Sequence, residues 1–276
     1  MLLLLTPTTL KMKGLIKIKE KIRQFAKGLN IEYTGFTENN GDSLIIFLFP
    51  YYTDSEEENS NISVYCRSLD YHIVIKEYLH RISEYIYDNF GIKTEAFVDV
   101  DPISEVDAAV KCGLGIKGKN HLLINEKYGS FIFIGILKAD SFIQPDEISS
   151  SEGCLGCNKC IHLCPALKNN DFSICISEIT QKKGKLSDAE EKLIVESGYA
   201  FGCDKCQTVC PMNKYVKTPV PEFYNNRIHK LNKNMFEKLS NKEFKKLYGD
   251  RAFAWRGKNV LIRNLTLLEE ENNPQE

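Results

Sequence analysis

Four cysteines stand within CLGCNKCIHLCP, Cys154 to Pro165, and three more within CDKCQTVCP, Cys203 to Pro211. A segment with this much sulfur folds around whatever its thiols hold, so these two blocks constrain the chain more than any apolar pattern does. With Cys175 between them, residues 141–215 contain eight of the ten cysteines of this 276-residue chain and little continuous apolar sequence. A domain with an inorganic interior need not bury much hydrocarbon. The fate of the thiols depends on the compartment. The opening MLLLLTPTTL has only four consecutive leucines and no basic residue ahead of them. That run is too short for a signal-peptide core or a bilayer span. It reads as an upstream start, with Met12 the alternative to Met1, and the expectation is a cytoplasmic protein with no membrane partner. In that compartment thiols serve metals more readily than a disulfide framework.

Cys154, Cys157, Cys160 and Cys164-Pro165 match the C-x2-C-x2-C-x3-C-P run of bacterial ferredoxins. In those proteins three cysteines bind one [4Fe–4S] cluster and the fourth binds the other. Two cubanes need eight thiolates, the number present in this segment. The ferredoxin resemblance implies Cys154, Cys157, Cys160 and Cys210 for one cluster, leaving Cys164, Cys175, Cys203 and Cys206 for the second. Zinc is the competing reading, because C-x2-C pairs also build zinc ribbons. Zinc has no need for the third cysteine or the prolines, so two clusters are the favoured assignment. Cys66 and Cys112 lie outside the blocks and read as buried thiols.

The rest of the chain is ordinary in composition, 43% hydrophobic and 26% charged. That is enough for a real core and one or two domains. The net charge of −1 advertises no global basic field, although 36 Lys and Arg residues leave room for a local one. Leu15 to Leu29 reads as an amphipathic helix, and Tyr71 to Phe90 as another stopped by Gly91. SLIIFLFPYY (Ser43 to Tyr52), TEAFVDV (Thr94 to Val100) and SFIFIGIL (Ser130 to Leu137) read as strands. Glu105 to Gly113 reads as a short helix, followed by the glycine-rich loop GLGIKGKN. That loop fits neither dinucleotide nor P-loop pattern. The alternation predicts an α+β fold: an α/β-like N-terminal domain over residues 12–140, a ferredoxin-like two-[4Fe–4S] domain over 141–222, and a helical tail over 223–276 packing on the core.

Taken in order, LDYH (Leu69 to His72), FVDVDPISE (Phe97 to Glu105), GLGIKGKNHLLIN (Gly113 to Asn125), both cysteine blocks and RGKNVLIRN (Arg256 to Asn264) resemble the epoxyqueuosine reductase family across about residues 15–265. The resemblance implies cobalamin in the N-terminal domain, fed with electrons by the two clusters, and reduction of epoxyqueuosine to queuosine in tRNA. Within that family a Co(I) nucleophile is thought to act on the epoxide while a carboxylic acid delivers the proton. By motif position the acid is Asp99, with Asp101 its nearest rival on the expected strand. Opening an epoxide requires protons at its oxygen, and desolvation beside a corrin would keep a carboxyl protonated near neutrality. The plainer account of Asp99 is a strand-end cap. Arg67, Asp70, Tyr71 and His72, with Gly118, Lys119, Asn120 and His121, are the implied cobalamin contacts, while Asp70 also fits a helix N-cap.

The resemblance further implies the tRNA anticodon stem-loop as partner and a flavodoxin or ferredoxin as low-potential electron donor to a monomer; Lys111, Lys117, Lys119, Arg256 and Lys258 are candidates to meet the phosphates, a solvated surface being the alternative reading. The chain departs from the family pattern with Ser68 and Leu69 in RSLDYH, and it is shorter ahead of that motif. Two other readings stay open: a corrinoid and iron–sulfur reductase of another small electrophile, and a ferredoxin-like electron carrier with no substrate of its own.

Overall fold

The structure, a computed structural model, describes residues 7–53, 60–99, 103–146, 148 and 153–272. Its contacts divide the chain into two units. One comprises residues 1–50, 74–126 and 132–154, and the other residues 51–73, 127–131 and 155–276.

The first unit is built on a four-stranded antiparallel sheet. β1 (Thr34–Asn39) and β2 (Asp42–Pro50) form a hairpin, β2 pairs with β6 (Ile132–Ala139), and β6 pairs with β3 (Thr94–Phe97). Asn40 and Gly41 make the hairpin turn, both at positive φ (52° and 88°). That is the backbone a tight two-residue hairpin demands, and Asn-Gly supplies it at little steric cost. β2 is buried on both faces, which explains its almost unbroken run of apolar residues. Leu44, Ile46 and Leu48 pack with Ile134, Ile136 and with Ala108, Ala109 and Cys112 of helix α3 (Glu105–Lys111) and its cap.

Opposite them lie α1 (Pro7–Gly28) and α2 (Tyr71–Phe90), of which residues from Val74 onward belong to this unit. Phe49 meets Tyr78 edge-on at 5.8 Å, and Phe25 stacks on Tyr85 at 4.0 Å. Asp146 fastens α1 to β1, accepting Arg23 Nη2 on both oxygens at 2.7 Å, the Phe36 amide at 2.8 Å and the Lys19 ammonium at 2.6 Å. A small hairpin, β4 (Ile116–Lys117) with β5 (Leu123–Ile124), completes the unit. The sheet is antiparallel with helices on both faces, so the fold is α+β with α/β-like layering.

The second unit is a set of short helices: α4 (Lys159–Leu163), α5 (Pro165–Asn169), α6 (Ile176–Gln181), α7 (Asp188–Ser197), α8 (Lys205–Thr208), α9 (Asn241–Tyr248) and α10 (Lys258–Asn272). Two capping boxes, Ser187 with Glu190 and Ser240 with Glu243, open α7 and α9. The core gathers Ile62 and Cys66 with Phe201, Phe236, Phe244, Phe253, Leu261 and Leu265. Residues of the charged C-terminal stretch therefore share one apolar cluster with residues 62–66. Asn264, fully buried on α10, donates to the carbonyls of Thr180 and Ala200 at 2.8 Å each. A second polar knot joins Tyr51, Gln207, Ser130 and Asn213. Among the described residues no helix is long and apolar enough to cross a membrane.

The strand expected over Thr94 to Val100 stops at Phe97. Asp99 follows it in the left-handed region at φ 54°, so it is not a strand residue. Asp101 lies outside the described residues.

Candidate cluster sites and cofactor-facing segments

The cysteine segment shows why its motif has the spacing it has. Gly156 and Asn158 sit at positive φ (66° and 60°), turning the chain sharply before α4 carries Cys160. Cys164 ends α4 and also caps the start of α5, where Pro165 takes the first helical position. Proline suits that place because its missing N–H has no intrahelical partner there. Cys175 plays the same role ahead of α6, and Cys206 rides on α8 between Cys203 and Cys210.

Within the second unit the thiols sort into two groups of neighbours. Burial raises the Cys160 thiol, and the charges of Cys210 and Cys157 raise it further. Burial likewise raises Cys206, with added repulsion from Cys164, Cys203 and Cys175. Cys203 is pushed up to about 12 by burial, and Asp204 and Cys175 add to the rise. Cys157, Cys160 and Cys210 thus form one group, and Cys164, Cys175, Cys203 and Cys206 the other. No three of these side chains converge tightly enough for a single ion among the described residues. Cys154 is half-buried, and Cys66 and Cys112 are buried. Burial pushes Cys112 up to about 12, as for an inert core thiol.

Asp204 is a residue the motif does not flag. It is buried between Cys203 and Cys206 and accepts from Ser63 Oγ at 2.5 Å and the Val64 amide at 2.8 Å. Burial pushes its carboxyl up, and the Ser63 and Val64 donors with the Arg67 charge oppose that rise.

In the same unit, buried Arg67 directs Nε and Nη2 to the Ile62 carbonyl at 3.4 and 3.3 Å. Asp70 Oδ1 accepts the His72 amide at 2.9 Å, capping α2, and lies 2.9 Å from His72 Nδ1. The rings of Tyr71 and His72 lie 4.1 Å apart. One short segment therefore gathers Arg67, Asp70, Tyr71 and His72.

In the first unit, Gly118, Lys119, Asn120 and His121 form the turn between β4 and β5. The Gly118 amide donates to the Leu122 carbonyl at 2.9 Å, and the His121 amide to the Gly118 carbonyl at 2.9 Å. A Cβ at Gly118 would come within 3 Å of Asn120 Oδ1 and Ile124 Cδ1, so a larger residue there would push those side chains aside. Lys119 and His121 are exposed, whereas Asn120 is buried with its Nδ2 lacking a hydrogen-bond acceptor. An unpaired buried amide is costly unless a ligand supplies the acceptor. The amide side chains that rim a corrin offer such oxygens, so this turn fits the group. Asp99 is exposed, its amide donating to Glu105 Oε1 at 2.6 Å. Of the expected phosphate contacts, Lys111 and Lys119 are exposed and Lys117 pairs with Asp107 at 2.9 Å. Lys258 Nζ is held by the Leu239 carbonyl, and Arg256 lies over the ring of Trp255.

Residues 38–100 match the family described as "Epoxyqueuosine reductase QueG, DUF1730", and residues 153–213 match the "4Fe-4S double cluster binding domain". An epoxyqueuosine reductase of Cyclobacterium marinum is 33% identical over 242 residues, covering 83% of this chain and 76% of that protein. The Listeria monocytogenes epoxyqueuosine reductase is 32% identical over 213 residues, covering 72% of this chain and 54% of that protein, so the chain spans about half the length of such relatives. The crystal structure of an epoxyqueuosine reductase with an epoxyqueuosine-modified tRNA-Tyr stem loop superposes with a TM-score of 0.80 over 92% of this chain and 81% of that one, at 24% identity. That likeness shows the fold. The chain carries a double [4Fe–4S]-cluster domain and belongs to the epoxyqueuosine reductase family.

Proposed function

We propose that this protein reduces epoxyqueuosine to queuosine in tRNA, using cobalamin supplied with electrons by two [4Fe–4S] clusters. The observation that carries the proposal is the pairing, in one family member, of a two-cluster domain with a turn whose buried amide awaits an acceptor. Net removal of the epoxide oxygen takes two electrons and two protons and yields an alkene and water. Clusters pass electrons singly, so two of them in series suit a donor such as a flavodoxin or ferredoxin in the cytoplasm. Bound and reduced cobalamin supplies the electron pair that the epoxide carbon accepts.

The chain's own residues do the rest. Asp99 delivers a proton to the departing oxygen. Gly118, Lys119, Asn120 and His121 are cobalamin contacts, with the Asn120 amide donating to a corrin side chain. Arg67, Asp70, Tyr71 and His72 are contacts for cobalamin or substrate, with His72 Nδ1 held 2.9 Å from Asp70 Oδ1. Cys154, Cys157, Cys160 and Cys210 hold one cluster, and Cys164, Cys175, Cys203 and Cys206 the other. The two neighbour groups of thiols support that division. Exposed Lys111 and Lys119 meet tRNA phosphates.

The test is anaerobic. Iron and sulfide are counted in the purified protein, cob(II)alamin is added, and its EPR spectrum is recorded. About eight irons per chain, with a shift to a base-off cobalt signal, is the expected result. Eight irons with an unchanged cobalamin spectrum would leave an electron carrier in place of this reductase.

A further inference from the structure

The chain has one tryptophan, Trp255, and it is more than half exposed (57%). An exposed indole on a loosely held segment would attract little notice, but this one is fixed. It directly follows the 3-10 turn Ala252–Ala254, whose Phe253 is fully buried in the core. Its Nε1 donates to Gln181 Oε1 at 2.8 Å, and Gln181 in turn donates to the Ser177 carbonyl at 2.9 Å. The Arg256 guanidinium lies 3.6 Å from the ring centroid. Arg256 spends its charge on an aromatic face, with no carboxylate partner among the described residues, and its buried Nε lacks an acceptor. Cation and indole therefore form one rigid, half-exposed stack.

The stretch of chain beside the stack is basic. Gln181, which orients the indole, opens the stretch QKKGK, with lysines at 182, 183 and 185 and no acid. Arg263 Nη1 holds that stretch in place through the carbonyls of Lys182 and Gly184 at 2.8 and 2.7 Å. Lys182 is committed to Glu190 at 2.6 Å, but Lys183 and Lys185 are exposed. A fixed aromatic plane beside exposed cations is the arrangement that receives an unpaired base and its flanking phosphates. A protein partner's apolar patch would not call for the lysines, and a phosphate alone would not call for the indole.

We infer that Trp255 and Arg256 form a stacking platform for an unpaired RNA base, with Lys183 and Lys185 meeting the adjoining phosphates. The inference rests on the proposal that the substrate base is carried in tRNA, and it adds a contact site on the second unit.

The lone tryptophan makes the test direct. The full-length protein with its clusters is titrated with a short RNA hairpin carrying an unpaired, unmodified loop. Tryptophan emission and the anisotropy of end-labelled hairpin are read together. The expected result is saturable quenching, about tenfold weaker binding for Trp255→Ala, and near-normal binding for Trp255→Phe. Replacing the loop bases by abasic sites should weaken binding to the natural protein and leave Trp255→Ala unaffected. Hairpin binding with unchanged emission and equal affinity for Trp255→Ala would overturn the platform while leaving the tRNA proposal intact. Absence of hairpin binding by every form would overturn both.

Discussion

Ser63 donates its hydroxyl to the carboxylate of Asp204 at 2.5 Å, and both residues are buried. Asp204 stands between Cys203 and Cys206, two of the proposed cluster ligands, and Ser63 begins the segment that runs to Arg67 and His72. The second carboxylate oxygen takes the Val64 amide at 2.8 Å, so both oxygens tie that segment to the cysteine loop. Asp204→Asn would set an NH2 group against one of these donors, leaving a buried polar pair unsatisfied. The expected cost is about 1–3 kcal/mol, read as a lower urea midpoint of the cluster-loaded protein. An unchanged midpoint would show that the two bonds contribute nothing.

Asp99→Asn should keep both clusters and bound cobalamin yet lose turnover. Asparagine adopts the left-handed backbone at φ 54° at least as readily as aspartate, so the turn is preserved. The amide cannot supply a proton, and a loss of at least about a hundredfold in rate is expected. Full activity in this variant would remove Asp99 from the mechanism.

Cys175 is the one proposed cluster ligand that stands outside both sequence blocks. Its neighbours are the thiols of Cys203 and Cys206. Cys175→Ala should lose the iron of one cluster, about four of eight atoms, while the other cluster keeps its EPR signal on reduction. Unchanged iron would strike it from the ligand set.

Asp146 makes the fold's stability depend on acid. Burial alone would raise its carboxyl, but the Lys19 and Arg23 donors and the Phe36 amide outweigh that and hold it below the ordinary range. Its folded pKa is therefore lower than its unfolded value of about 3.9. The stability it contributes is present above that value and is lost as pH falls through the folded pKa. Asp146→Asn should cost about 1–2 kcal/mol at pH 7, moderated by the 40% exposure of the Arg23 side chain. The melting temperatures of the two proteins should converge as pH falls below about 4. A constant difference at all pH values would contradict the assignment.

Local signals were the legible ones. Helix α2 was readable to the residue because Asp70 caps one end and Gly91, at φ 68°, turns the other. The cysteine spacing pointed to two clusters, because α4, α5 and Pro165 impose it on the backbone. β1 is not legible from periodicity, because its buried Thr34 and Thr37 blur the apolar alternation, although Asn40-Gly41 is a usable hairpin signal. The strand expected to reach Val100 ended early because the Asp99 amide is drawn to Glu105, which alternation cannot reveal. The core shared by Ile62, Phe201 and Phe253 joins residues nearly two hundred positions apart, beyond any local periodicity. Asp204 and the Trp255–Arg256 stack were likewise invisible, since burial and orientation are properties of the folded chain.

The most direct test supplies the anaerobically reconstituted protein with cobalamin, a low-potential reductant and an epoxyqueuosine-containing tRNA stem-loop, then digests the RNA and measures its nucleosides by mass spectrometry. Conversion to queuosine, with loss of one oxygen and dependence on both cobalamin and the clusters, is the predicted result. Epoxyqueuosine recovered unchanged, from protein shown to hold both clusters and cobalamin, would contradict the account.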